Sequence, residues 1–164
     1  MIRRDFLLLG TALLGAAGWL ATGRRGAAVA AEHFTVTHSD AEWRKLLSPA
    51  AYDVLRQQGT EPPGSSVLDH EFAAGHYDCA GCALPLFASA TKFDSGTGWP
   101  SFYQPLAHAV STESDSSLLM ERTEVHCARC GGHLGHVFED GPKPTGLRYC
   151  MNGVAMTFNK GAVA

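Results

Sequence analysis

The chain has 164 residues, 45% of them hydrophobic and 18% charged, with a formal charge of −3 at pH 7. That length suits one domain with a packed core rather than two, and the composition is too apolar for a disordered polypeptide. Eighteen glycines and eight prolines suggest short strands joined by tight turns.

The first segment is a targeting signal rather than part of the fold. Arg3-Arg4-Asp5-Phe6-Leu7-Leu8 follows the twin-arginine export pattern, a Gly/Ala-rich apolar stretch runs from Phe6 to Ala21, and Ala28-Val29-Ala30 supplies a small-x-small cleavage site. Residues 1–30 are therefore read as a signal peptide and residues 31–164 as a single domain. The competing reading is an uncleaved anchor, but the apolar run is short and glycine-broken for a stable span. Without residues 1–30, nine basic and fifteen acidic residues remain, a formal charge of −6. An acidic surface argues against nucleic acid or an anionic membrane as partner. The expected location is the periplasm or another extracytoplasmic space, with no stable membrane association after cleavage.

Two helices should open the mature chain. Ser39-Asp40-Ala41-Glu42 reads as a capping box, followed by Trp43, Leu46 and Leu47 on one face. Ser48-Pro49 restarts the pattern as N-cap and first helical residue, Tyr52 and Leu55 fall at helical spacing, and Gly59 is placed to cap the end. Thr60 to Ser66 is a connecting loop. From Gly75 onward short apolar runs are broken by glycine, and Leu118 to Val125 and Leu147 to Phe158 read as strands. Short strands behind two helices predict a mainly β (α+β) domain with an antiparallel sheet core.

The five cysteines divide into four plus one. Cys79 and Cys82 form one C-x-x-C pair, and Cys127 and Cys130 form a second. Two such pairs predict a closed, tetrahedral, structural Zn²⁺ site holding one ion, because each two-residue spacer lets both sulfurs turn toward the same ion. Two disulfides or a redox-active pair are the alternatives, but neither pair sits in a βαβ context. Zinc needs thiolates, whereas oxidising compartments consume them. Twin-arginine export carries folded proteins, so the site would be loaded before crossing.

Cys150 is left without a spare cysteine. A buried lone cysteine is often inert, but on a strand Arg148, Cys150 and Asn152 would share one face, and Arg148 could stabilise a thiolate. His133-Leu134-Gly135-His136 supplies groups able to move protons near neutral pH. In a regular strand the two histidines face opposite sides, so joint action requires a bend at Gly135. The other six histidines form no constellation and are read as solvated. Trp99 sits in a glycine-rich Gly-Trp-Pro loop, where function concentrates.

Gly98-Trp99-Pro100-Ser101-Phe102, His133 to Phe138, Asp140-Gly141-Pro142 and Gly146 to Asn152 resemble, in order, the motifs of the B-type peptide-methionine (R)-S-oxide reductases. The resemblance spans roughly Ser39 to Phe158. It implies two antiparallel sheets rolled into a barrel-like core, with zinc fastening the side remote from the active site. It implies that Cys150 is the nucleophile on an R-configured methionine sulfoxide, that His136 with His133 protonates the departing oxygen, and that Trp99, Asn152 and Arg148 form the substrate site. Oxidised proteins or peptides would be the substrate, and Cys150 would end as a sulfenic acid. Many members of that family carry a resolving cysteine two residues before the loop tryptophan, where this chain has Thr97. An external thiol from a thioredoxin-like protein is therefore the expected reductant. A non-catalytic zinc-ribbon binding module is the rival reading.

Overall fold

In the computed structural model, residues 33–117 and 120–161 are described. The signal read in residues 1–30 lies outside them, as do Leu118 and Leu119 at the start of one expected strand. Helix α1 spans Asp40–Leu46 and α2 spans Pro49–Gln57. The capping box forms: Ser39 Oγ accepts from the Glu42 N–H at 3.4 Å, and the Ser39 N–H donates to Glu42 Oε2 at 2.8 Å. Ser48 Oγ accepts from the Ala51 N–H at 3.2 Å, with Pro49 opening α2. Trp43, Leu47, Tyr52 and Leu55 are buried. Leu46 is exposed instead, because α1 ends there and the extended backbone at Leu47 turns the next side chain inward. The residue that closes α2 in the left-handed conformation is Gln58, not Gly59. A Cβ at 59 would stand 2.3 Å from Asp53 Oδ2, so a larger residue there would require the exposed Asp53 side chain to move.

Among the described residues nine strands follow: β1 (Gly75–Cys79), β2 (Pro85–Ala88), β3 (Lys92–Phe93), β4 (Ser101–Phe102), β5 (Val110–Asp115), β6 (Arg122–Cys127), β7 (His133–Phe138), β8 (Arg148–Met151) and β9 (Met156–Lys160). They form two antiparallel sheets, ordered β2-β1-β9 and β3-β4-β8-β7-β6-β5. Among the described residues both sheets are open, with β2 and β9 edging one and β3 and β5 the other, so strand pairing closes no barrel. The sheets meet through aromatic rings. Phe102 on β4 stacks on Phe87 from β2 at 4.3 Å and meets Tyr77 from β1 edge-on at 4.9 Å, all three fully buried.

Two strand expectations need revision, the first because the strand expected over Leu118 to Val125 is β6, which spans Arg122–Cys127. The run from Leu147 to Phe158 is not one strand but β8, a 3₁₀ turn at Gly153–Ala155, and β9 in the other sheet. The break has a cause: the Glu61 carboxylate accepts from the Gly153 and Val154 N–H groups at 2.6 and 3.0 Å, which removes them from any ladder. Strand β5 has no apolar alternation to announce it; Val-Ser-Thr-Glu-Ser-Asp is a solvent-facing edge held by its ladder to β6. Histidine 126, expected in solvent, is buried on β6 with Phe34 edge-on at 5.8 Å.

Truncating Phe102→Ala should cost roughly 3–5 kcal/mol, as expected for a fully buried aromatic side chain. Urea denaturation followed by far-UV circular dichroism checks this, and a loss under about 1 kcal/mol would show that the ring pair does not join the sheets.

Candidate active site and four-cysteine cluster

Cys150 lies near the middle of the larger sheet, and the ladder decides its neighbours. β8 pairs with β4 on one side and β7 on the other, placing Ser101, Cys150 and His136 directly across from one another on three adjacent strands. Side chains opposed in this way share a face. The bend anticipated at Gly135 is present as a register irregularity. His126 pairs with His133, but Val125 pairs with Gly135, so β7 carries one extra residue. That residue reverses the alternation, and the two histidine rings come to 5.4 Å on one side of the sheet. A side chain at Gly135 is excluded by close approach, since a Cβ would lie 2.2 Å from the Cys150 carbonyl oxygen.

Each histidine is held by a carboxylate. His133 Nδ1 lies 2.7 Å from Glu124 Oε1, and His136 Nε2 lies 2.8 Å from Asp115 Oδ2. Asp115 also accepts from Arg122 Nη2 at 2.6 Å and from the Ser117 N–H at 2.9 Å. Hydrogen bonds from Ser117, then from His136, hold the Asp115 carboxyl well below the usual carboxylate range. Burial pushes the His136 imidazole below its ordinary value, with Asp115 opposing the shift. Burial raises the Cys150 thiol, while Thr97, the charge of Arg148 and Ser101 pull it back only in part. At neutral pH the resting pair is therefore a thiol beside a neutral imidazole.

A depression of about 140 Å³ opens above Cys150, lined by Thr60, Trp99, His136, Phe138 and Asn152 among others. Trp99 is half-buried there, its indole N–H donating to the Glu61 carbonyl at 3.1 Å. Asn152 lines the depression but is buried, with both ends of its amide engaged: Oδ1 accepts from the Glu61 N–H at 2.9 Å and Nδ2 donates to the Leu134 carbonyl at 3.0 Å. Arg148 does not line this depression. Its guanidinium makes two 2.8 Å bonds to Asp140 and lies over the Phe138 ring at 4.4 Å. Thr97 meets the sulfur, with Oγ1 3.8 Å from Cys150 Sγ, and a hydroxyl chain runs from Thr97 through Ser95 to Ser101.

Asp115, Glu124, Arg122 and Glu61 were not legible as site residues. Glu61 is the most consequential. It lies in a loop preceding Pro62-Pro63 and is 6% exposed. Its carboxylate binds the turn after β8, its N–H binds Asn152, and its carbonyl binds Trp99. No local pattern marks such a residue, because all of its partners lie at least 38 positions away.

The other four cysteines form a separate cluster. Cys79 and Cys82 flank the β1–β2 turn, and Cys127 and Cys130 flank the β6–β7 turn. Ala83 and Gly131, each just past a pair, take the left-handed conformation that lets both sulfurs turn inward. All four Sγ atoms lie within 4.8 Å of one another, and the short distances run between the turns: Cys79 to Cys130 at 3.7 Å and Cys82 to Cys127 at 3.5 Å. A disulfide would require about 2.05 Å. A tetrahedron with bonds of about 2.3 Å has edges of about 3.8 Å. The cluster has the dimensions of a metal site, and Cys150 stands outside it.

A half-buried thiol beside carboxylate-held histidines, set apart from a four-cysteine cluster, suits the chemistry of a thiol-dependent oxidoreductase. Comparison with known proteins agrees. A model of the SelR domain matches residues 47–160. Relatives named "Peptide methionine sulfoxide reductase MsrB" include one from Leptospira interrogans, 52% identical over 129 residues, covering 78% of this chain and 98% of the relative. Others come from Methanosarcina barkeri, 55% identical over 124 residues (75% and 87%), and Bradyrhizobium diazoefficiens, 57% identical over 122 residues (74% and 88%). The chain belongs to the MsrB family of peptide methionine sulfoxide reductases, SelR-domain enzymes, and is not a binding module on a ribbon-like scaffold.

Glu61→Gln keeps the side chain's size but replaces one acceptor oxygen with a donor facing a backbone N–H. The loss should be roughly 2 kcal/mol, the scale of a charge-assisted bond left unmade. A matching drop in denaturation midpoint with a shift in Trp99 fluorescence is expected; an unshifted spectrum would show that Glu61 does not hold the loop.

Proposed function

We propose that this chain reduces the R epimer of methionine sulfoxide, carried in proteins or peptides, through Cys150. The observation that carries this reading is the ladder that sets Cys150 between Ser101 and His136 beneath the Trp99 depression. The sulfoxide methyl group would rest against Trp99 and Phe138, whose apolar surfaces suit it. The Cys150 sulfur attacks the sulfoxide sulfur, and its proton passes through His136 to the sulfoxide oxygen. The hydroxyl so formed then migrates to the Cys150 sulfur as the substrate's S–O bond and the new S–S bond break, so methionine leaves and Cys150 holds the oxygen as a sulfenic acid. Atoms balance: one thiol and one sulfoxide become one sulfenic acid and one thioether.

The supporting residues divide their work. Asp115 orients His136, and Glu124 does the same for His133, which backs the first histidine. Asn152 fixes the pocket wall, and Arg148 contributes positive charge beside the sulfur. The four-cysteine cluster suits Zn²⁺, held by Cys79, Cys82, Cys127 and Cys130 as a structural ion. A bound ion there would staple the two hairpin turns, while every chemical step belongs to other residues. Thr97 offers no thiol where it touches Cys150, so an external thiol, such as that of a thioredoxin-like protein, returns the enzyme to its reduced form. The sequence Arg3-Arg4-Asp5-Phe6-Leu7-Leu8 supports export, so this repair would work in the periplasm or another extracytoplasmic space.

The decisive assay gives the purified chain peptides carrying R or S methionine sulfoxide, with dithiothreitol and with zinc quantified in the same sample. Turnover of the R epimer alone is expected. Cys150→Ser should abolish it without altering zinc content, and retained turnover in that variant would sink the assignment.

A second expectation concerns pH. Asp115 raises the His136 pKa against the lowering effect of burial, so Asp115→Asn should lower it further. The neutral imidazole that relays the Cys150 proton is then reached at lower pH, so the ascending, His136-dependent limb of kcat/KM against pH should move to lower pH. An unmoved profile would exclude His136 as the proton carrier.

A further inference from the structure

Two separate hollows lie near Cys150, one lined by it and one reached through its neighbours. One is the Trp99 depression described above. The other, about 420 Å³, is lined by residues that include Asp94, Ser95, Thr97, Asp140, Pro142 and Arg148, and it shares no lining residue with the first. It reaches Cys150 through Thr97, whose Oγ1 lies 3.8 Å from the sulfur, and through Arg148, which contributes charge to it. Asp94 and Pro142 are exposed at its rim. The reaction proposed above gives this second hollow no role.

Reduction of a sulfenic acid is a displacement at two-coordinate sulfur, in which the incoming sulfur, the central sulfur and the leaving oxygen lie in one line. That oxygen comes from the sulfoxide, so it lies in the Trp99 depression within reach of His136. The attacking thiolate must then arrive from the opposite side. Resting on the reading above, we propose that the cleft of Asp94, Thr97, Asp140 and Arg148 is the entry for the reductant's thiolate, so that substrate and reductant use opposite faces of Cys150.

The cleft's chemistry suits that traffic. Arg148 is pinned by two bonds to Asp140 and presents a fixed cation at the approach to the sulfur. Such a charge favours the incoming thiolate and, in the second exchange, the departing Cys150 thiolate. In the first exchange the reductant sulfur bonds to Cys150, the S–O bond breaks, and the oxygen leaves as water after protonation from the His136 side. In the second, another thiol of the reductant attacks the mixed disulfide and leaves Cys150 reduced. The reductant is oxidised by two electrons to a disulfide, which balances the two electrons given to the sulfoxide.

The test separates the two half-reactions in the full mature chain. Reduced enzyme is mixed with a peptide carrying methionine-R-sulfoxide in the absence of thiol, and methionine formed per Cys150 is followed. Decay of the sulfenic acid, trapped with dimedone and read by mass spectrometry, is then followed after adding dithiothreitol in one arm and a thioredoxin in the other. Asp94→Trp and Pro142→Trp, on two parts of the rim, should leave the methionine burst at the wild-type rate and slow sulfenic acid decay at least tenfold. A tenfold effect in the thioredoxin arm alone supports entry of a protein-borne thiol, and an effect in both arms supports entry of thiols from either source. Unchanged decay in both variants and both arms, or a burst slowed as much as the decay, would overturn the proposal. A wild-type enzyme that releases no methionine before thiol is added would instead overturn the reading of Cys150 on which the proposal rests.

Discussion

The site depends on one extra residue in one strand. β7 leaves the cluster at Cys130, turns at Gly131 and Gly132, and starts its ladder at His133. Between there and Gly135 it gains a residue on β6, which sets His133 and His136 on one side and brings His136 opposite Cys150. A strand period of two makes this arrangement fragile, because a one-residue slip would send every side chain to the other face. A metal ion held by the four-cysteine cluster would oppose such a slip by tying the start of β7 to the β1–β2 turn in the other sheet. The cluster and the histidines are therefore linked through β7.

The opposite wall of the site is held by Glu61. Its backbone and carboxylate engage Trp99, Asn152, Gly153 and Val154, so the tryptophan loop and the segment after Cys150 share one fixed point. A buried carboxylate is costly unless its acceptor sites are filled. Two backbone N–H groups fill them, and those same bonds end β8 and direct the chain into β9. The break that makes Leu147 to Phe158 two strands in two sheets is thus the interaction that fixes the pocket floor.

These dependencies explain which parts could be read from sequence. Helix starts were legible because Ser39 and Ser48 act on backbone groups three residues away, and the paired cysteines were legible because a two-residue spacer constrains both sulfurs. The need for a bend at Gly135 followed from strand parity alone. Glu61, Asp115, Glu124 and Arg122 were not legible, since each works through partners brought close only by folding. β5 was hidden for a related reason: an exposed edge strand needs no apolar alternation, only a ladder to its neighbour. Leu46 misled because it is the last residue of α1, and Leu47, in extended backbone just beyond, is the side chain that turns inward.

The electrostatics of the pair add a further consequence for how the enzyme would work. Burial raises the Cys150 thiol and lowers the His136 imidazole, so the resting site holds a thiol and a neutral base instead of an ion pair. The thiolate is the form that oxidants consume, and a protonated Cys150 is protected while the pocket is empty. The sulfoxide supplies what the resting state lacks, an oxygen that becomes basic as sulfur attacks it. In the proposed reaction, the proton that keeps Cys150 inert is the one that the departing oxygen requires. His136, held by Asp115 at one nitrogen, need only pass it across. Protection of the free enzyme and protonation of the substrate then draw on a single proton, released only when a sulfoxide is in place to accept it.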